Sequence, residues 1–166
     1  MTKELHEAIL DQITFEFYSS HVYLAMAAYC HKIDLDGFAN FYKIQGEEER
    51  FHAMKFFNFL VEVDEDVSID GFEQPSNDYK DIIDVFEHSL AHEKIVTSRI
   101  YNLMDIAIKD NEHATRSFLQ WYVDEQVEEE ANFKGFLTKL KRSKDDVSML
   151  YKMDDEMATR VYTEPV

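Results

Sequence analysis

Glycine and proline are nearly absent, at four and two among 166 residues. A β-rich chain of this length needs many more turn-forming residues, so their scarcity favours long helices. There is one cysteine, Cys30, which excludes an internal disulfide framework and any paired-cysteine metal knuckle. A lone thiol fits a reducing compartment. No apolar run approaches the ~20 residues a membrane span requires. The opening stretch MTKELHEAILDQ carries acids and no apolar core, so no secretory signal is expected and the expected location is the cytoplasm. Positive charge is scarce too. Seventeen Lys and Arg against 34 Asp and Glu give a net charge of −17. No basic stripe is left for nucleic acid, and cations are the favoured partners.

What is present is apolar and periodic. Hydrophobic residues make up 45% of the chain and aromatics 14%, a globular composition expected to form a single domain over 1–166. A first helix is expected from about Lys3 to Ile33, with the inward seam Leu5, Ile9, Gln12, Glu16, Ser20, Tyr23 and Ala27. Asp34 to Gly37 break it, and Asp36 is a candidate cap for the next. The second, about Phe38 to Val63, has the seam Phe38, Phe41, Gln45, Glu49, His52, Phe56, Phe59 and Val63. Asp64 to Asn77 holds no sustained period and is long for a helix hairpin, which predicts a crossover along the bundle.

With Ser76 or Asn77 as cap, a third helix is expected from about Asp78 to Ile108 on the seam Ile82, Phe86, Ser89, Glu93, Val96, Ile100, Leu103 and Ala107. A fourth follows from about Glu112 to Leu140 on the seam Ala114, Phe118, Trp121, Glu125, Glu128 or Glu129, Asn132 and Phe136. A basic patch closes it, favourable at a helix C-terminus. A short fifth helix is expected over about 145–160. Its apolar Val147, Leu150, Tyr151, Met157 and Ala158 would be exposed on an isolated bundle, which suggests partner chains. The predicted fold is all-α: an up-down-down-up four-helix bundle over about 3–141, with the long crossover between helices 2 and 3.

Every long helix places a glutamate on its apolar seam near mid-length: Glu16, Glu49, Glu93, and Glu125, Glu128 or Glu129. A lone buried carboxylate would protonate, and several facing one another would repel. No Lys or Arg holds an equivalent seam position, since Arg50 and Lys94 are turned about 100° from Glu49 and Glu93. A bound cation resolves both problems. Oxygen ligands with one imidazole exclude a thiolate site and suit iron or manganese, with zinc able to occupy it. Glu49 and His52 lie one turn apart and can point at one metal that Glu16 completes. Glu93 and Glu129 can hold a second, bridged by Glu49, and Gln126 can bind a water or ligate weakly. This is the pattern of dimetal carboxylate bundles.

The stretches QITFEFYSSHVYLAMAAYC (12–30), GFANFYKIQGEEERFHAMKFFNFL (37–60), HSLAHEKIVTSRIYNLMDIA (88–107) and FLQWYVDEQVEEEANF (118–133) resemble the ferritins, and among them the bacterial non-haem ferritins. The resemblance spans nearly the whole chain. It implies an iron-storage protein with ferroxidase activity: two Fe(II) are oxidised by O2 or hydrogen peroxide, and ferric oxide is stored in a homo-oligomeric cage of about 24 subunits. Glu16, Glu49 and His52 look like the first iron site, and Glu93 and Glu129 with bridging Glu49 like the second. Glu48, Glu125 and Glu128, with Glu129, look like an additional third site. Gln126 matches a glutamine near the second site, and Tyr23 and Trp121 match aromatic residues beside the centre that can supply electrons.

The fourth helix lacks the second histidine of a symmetric dimetal centre, and Met54 is expected to pack rather than bind haem, so no haem is expected. Two alternatives differ in class. One is a dimetal oxidase or peroxidase without storage, and the other is a metal-buffering bundle without turnover.

Overall fold

The computed structural model describes residues 1–164, so the last two positions of the expected 1–166 domain lie outside the described residues. Among the described residues there are five helices: α1 (Lys3–Lys32), α2 (Asp36–Glu62), α3 (Ile82–Lys109), α4 (His113–Arg142) and α5 (Val147–Ala158). Three of the long helices stop without glycine. Asp34, Asp64 and Asn111 follow α1, α2 and α3 with φ of 58°, 60° and 57°. Asp and Asn tolerate the left-handed conformation better than other side chains. The next amide then reaches back to an orphan helix carbonyl: Leu35 N to Cys30 O at 3.0 Å, Glu65 N to Leu60 O at 3.0 Å, Glu112 N to Ala107 O at 2.9 Å. A chain with four glycines thus terminates its helices with short polar residues.

Inter-helix pairs fix the direction of each helix. Along α1 and α3, Glu4 meets Lys109, Gln12 meets Arg99 and Ser19 meets His92, so they are antiparallel. Along α2 and α4, Phe59 stacks on Phe118, Phe56 on Tyr122, and Phe41 meets Phe133 edge-on, again antiparallel. Ser20 of α1 donates to the Gly46 carbonyl of α2, the neighbour it turns back upon. The order is therefore up-down-down-up, with residues 63–81 as the crossover, as the seams and the long second connection predict.

Three local expectations are corrected. Helix α3 starts at Ile82, not Asp78, and its cap is Asp81, whose carboxylate accepts from Asp84 N at 2.8 Å. Ser76 and Asn77 are spent on contacts within the crossover, Ser76 with Asp78 and Asn77 with Pro75. Asp36 does not cap α2; it is the first helical residue, and the cap position is Leu35, which offers no side-chain acceptor. The missing cap comes from α5, where Asp154 Oδ1 accepts from Phe38 N at 2.8 Å. Finally, α5 does not leave all its apolar face bare. Met153 and Met157 are buried and Leu150 packs beside them, while Val147 and Tyr151 are exposed.

The apolar interior is two clusters, not one. The first joins Tyr23, Met26, Phe38, Phe41, Tyr42, Phe86, Phe133 and the α5 methionines; the second joins Leu5, Ile9, Ile13, Phe56, Leu60, Ile100, Leu119 and Tyr122. Between them lies a belt of buried polar side chains: Gln12, Glu16, Gln45, Glu49, His52, Glu93, Gln126 and Glu129.

Candidate metal centre

Each long helix contributes to the belt because its seam places one acid or imidazole inward at the same depth. The seams of α1, α2 and α3 are buried as expected, apart from half-buried Val63. That of α4 is turned by one residue. Its buried line is Thr115, Leu119, Tyr122, Gln126, Glu129, Phe133, Leu137 and Leu140, while Ala114 and Asn132 are exposed and Phe118, Trp121 and Phe136 are half-buried. Of the three α4 glutamates proposed for the seam, Glu129 alone is buried; Glu125 is half-buried and Glu128 exposed. Gln126 thereby moves from a flank into the core.

Glu16, Glu49 and His52 come together. One donor atom from each lies within 4.8 Å of the other two, the one such group among the described residues. Glu16 Oε2, Glu49 Oε1 and His52 Nε2 are buried with no hydrogen-bond partner. Buried polar atoms are ordinarily satisfied. Three residues that bring one donor atom each within reach of the others, each also holding a buried unpartnered atom, fit a divalent cation of the iron, manganese or zinc kind.

The electrostatics agree. Burial pushes the Glu16 carboxyl up to about 7, and pushes Glu49 well above the usual carboxylate range, helped by Glu93 and Glu16. Glu16 and Glu49 face each other closely enough to share a proton. Burial drives His52 down to about 3, with Lys55 adding to the effect. The 3.5 Å approach of His52 Nδ1 to Glu49 Oε2 is therefore a neutral ring beside a carboxyl, not an ion pair. A neutral imidazole keeps a lone pair for a metal. Tyr122, a residue given no role from the sequence, donates to the His52 carbonyl at 2.7 Å and stacks on Phe56, which fixes this turn of α2. Trp121 stands edge-on to the His52 ring at 5.4 Å, with Lys55 Nζ 4.4 Å above its own ring.

Glu93 and Glu129 face the same belt, Glu93 with both oxygens already engaged and Glu129 with Oε2. Tyr23 donates to Glu93 Oε1, and Gln126 Nε2 to Glu93 Oε2 at 2.9 Å. Burial raises Glu93 to about 7 against these two bonds, which pull it down. Burial holds the Tyr23 phenol well above its ordinary value, so it stays a donor. Glu129 is raised by burial and by Glu93, and accepts from Gln45 Nε2 at 3.0 Å. Glu48 is held by Arg160, which donates to both of its oxygens. Burial raises Glu48 and Glu125, and the nearby Glu128 adds to both, but the three do not form a group like that of Glu16, Glu49 and His52.

Sequence reasoning passed over Gln12 and Gln45 as agents, although both were on the seams. Each stands one turn before a seam glutamate, a repeated Gln-x-x-x-Glu that signals an amide laid beside a buried acid. Their arginine partners, Arg99 and Arg160, gave no local signal. Among the described residues no helix is long and apolar enough to cross a membrane.

Residues 6–143 match the Ferritin family, described as a ferritin-like domain. The chain is 43% identical over 164 residues to the bacterial non-heme ferritin of Staphylococcus haemolyticus, covering 99% of both chains. The bacterial non-heme ferritin of Staphylococcus aureus strain MRSA252 shows the same 43% identity over 164 residues, again covering 99% of both. Among solved structures, the open-pore ferritin of the archaeon Archaeoglobus fulgidus superimposes with a TM-score of 0.96 at 39% identity, covering 97% of this chain and 99% of that one. A bundle with an acidic, histidine-containing belt and full-length similarity of this degree belongs to the ferritin family.

Proposed function

We propose that this chain is a cytoplasmic iron-storage ferritin subunit with ferroxidase activity, without haem, acting in a homo-oligomeric cage of about 24 subunits. The observation that carries this reading is the grouping of Glu16, Glu49 and His52, each with a buried unpartnered atom, in a chain of this family. The non-heme ferritin relatives support the storage role by analogy.

Fe(II) is the substrate. Glu16, Glu49 and His52 take the first ion, since their free atoms have no amide, hydroxyl or guanidinium donor to displace. Glu93 and Glu129 take the second, with Glu49 as bridge. Tyr23 and Gln126 must release or share the Glu93 oxygens when that happens. Two irons each give up one electron and O2 accepts both, so the pair delivers in one event what a single iron cannot. An anionic, water-poor belt favours Fe(III) over Fe(II), because burial makes the carboxylates costly unless a cation balances them. Tyr23, hydrogen-bonded to Glu93, is placed to donate an electron, and Trp121 lies beside His52. Glu48, Glu125 and Glu128 with Glu129 form a weaker outer site along which ferric product moves.

An aerobic Fe(II) titration of the metal-free protein, following oxygen uptake and absorbance together, tests this. Fast oxidation with a break at about two irons per chain and about one O2 per iron pair is expected. A break at about three would bring the outer carboxylates into the ferroxidase centre. Oxidation no faster than in buffer would overturn the enzyme reading.

A further inference from the structure

Two arginines reach the belt through glutamines. Arg99 Nε donates to Gln12 Oε1 at 2.9 Å, and Gln12 Nε2 donates to Glu16 Oε1 at 2.8 Å. Arg160 Nη1 donates to Gln45 Oε1 at 2.9 Å, and Gln45 Nε2 donates to Glu129 Oε2 at 3.0 Å. In each chain the amide accepts at one end and donates at the other, so a cation outside the core steadies a carboxylate inside it. The arginines differ in their second partner. Arg99 Nη2 pairs with Asp11, a solvated side chain 72% exposed. Arg160 Nη2 takes both oxygens of Glu48, at 2.9 and 2.6 Å, where the two side chains are only 29% and 17% exposed.

The position of Arg160 is built, not incidental. Its guanidinium lies 4.6 Å over the Phe41 ring, and its carbonyl accepts from Asn40 Nδ2 at 3.0 Å. It stands at a cleft of about 320 Å³ between α2, α4 and the end of α5, lined by Gln45, Glu129, Met157 and Thr159 among others. That volume holds on the order of ten waters, room for a divalent cation with its hydration shell. The cleft leads to Glu129, one of the buried carboxylates.

We propose that Arg160 is an internal competitor of divalent cations. It occupies Glu48 and, through Gln45, Glu129, so a cation settles between these two carboxylates only by displacing the guanidinium. The proposal rests on reading the bundle as an iron-handling one. Its basis is the contrast in readiness across the belt. Glu16 Oε2, Glu49 Oε1 and His52 Nε2 have no arginine or amide donor to displace, whereas both Glu48 oxygens and Glu129 Oε2 do. Cations on the Glu48 side are therefore weakly held and quickly released, while those at Glu16, Glu49 and His52 stay. As a divalent cation enters, the arginine charge leaves for solvent and the end of α5 loosens.

The test is calorimetric titration of the assembled, metal-free protein with Co(II) under argon, for the wild type, Arg160→Gln and Arg160→Lys. Arg160→Gln should tighten the weak class of sites about tenfold, or about 1.4 kcal/mol. It should leave the tight class within about threefold, a difference of under 1 kcal/mol. Arg160→Lys keeps the charge and should stay near the wild type, which a purely structural role for the two-handed guanidinium would not produce. Independently of any variant, hydrogen exchange over 157–162 of the wild type should accelerate when Co(II) fills the weak class and not when it fills the tight class. Unchanged weak affinity in Arg160→Gln, or unchanged exchange on filling, would overturn the proposal while leaving the ferroxidase reading intact. Absence of any tight Co(II) binding to the wild type would remove both.

Discussion

Glu49 is where stability and function pull apart. It lies in the core, 1% exposed, and carries an orphan oxygen that a well-packed protein would not retain for its own sake. Replacing it with glutamine removes the ionisable group and keeps the shape. We expect Glu49→Gln to raise the stability of the metal-free protein by about 1–3 kcal/mol, measured by denaturant unfolding, and to abolish fast Fe(II) oxidation. A variant that oxidises iron at the wild-type rate would remove Glu49 from the centre. The same carboxyls set a pH dependence. Glu16 and Glu93 rise from 4.5 to about 7 on folding. A raised carboxyl means the folded state binds the proton more tightly, so its contribution is fully present below 4.5 and is lost as pH rises through about 7. The melting temperature of the metal-free protein should therefore fall between those limits as pH is raised, from this source, and added Zn(II) should reverse the fall. Zn(II) affinity should climb over the same window, because each bound ion displaces protons.

Among the elements, α5 holds more than its length suggests. Its Asp154 carboxylate caps α2, and its backbone passes so near Gly37 that a Cβ there would lie 1.7 Å from the Asp154 carbonyl oxygen. Alanine is the better helix former by about 1 kcal/mol, but a backbone atom cannot yield as a side chain can, so the clash wins. Gly37→Ala should lower stability by about 1–3 kcal/mol and raise hydrogen exchange across α5, with the far cluster unaffected. Retention of wild-type exchange in α5 would show that the contact can relax. That contact, joining residues 117 positions apart, had no trace in the sequence, and neither did the reach of Arg160 to Gln45. Seams are legible because period and burial coincide: Leu5 to Ala27 and Ile82 to Ala107 could be read off directly. In α4 two neighbouring rows are both rich in large apolar residues. Phe118, Trp121 and Phe136 drew the reading to the wrong row, while Leu119, Tyr122 and Phe133 are the ones buried. The seam of that helix leaves Glu125, Glu128 and Glu129 as inward candidates, and Glu129, the one expected from the sequence to hold a second ion, is the one buried. Gln45, whose amide meets Glu129, is the residue that shows which one turned inward.

For the molecule as a whole, the charge of −17 and the exposed apolar residues of α1 and α3, such as Leu24, Ile95, Tyr101 and Ile108, point in opposite directions. Apolar contacts favour assembly, and like charges oppose it until salt or cations screen them. Light scattering should find an assembly of several hundred kilodaltons at physiological salt, with dissociation favoured as ionic strength falls. A chain of 19.7 kDa that stays monomeric at every salt concentration would rule out the cage. The interior adds a last consequence. Its two apolar clusters are joined across a belt of buried acids and amides. Cations held by Glu16, Glu49, Glu93 and Glu129 would rivet all four helices at the waist. On the proposed function, cargo and container are then mechanically linked: a subunit stiffens as it loads and slackens as it empties.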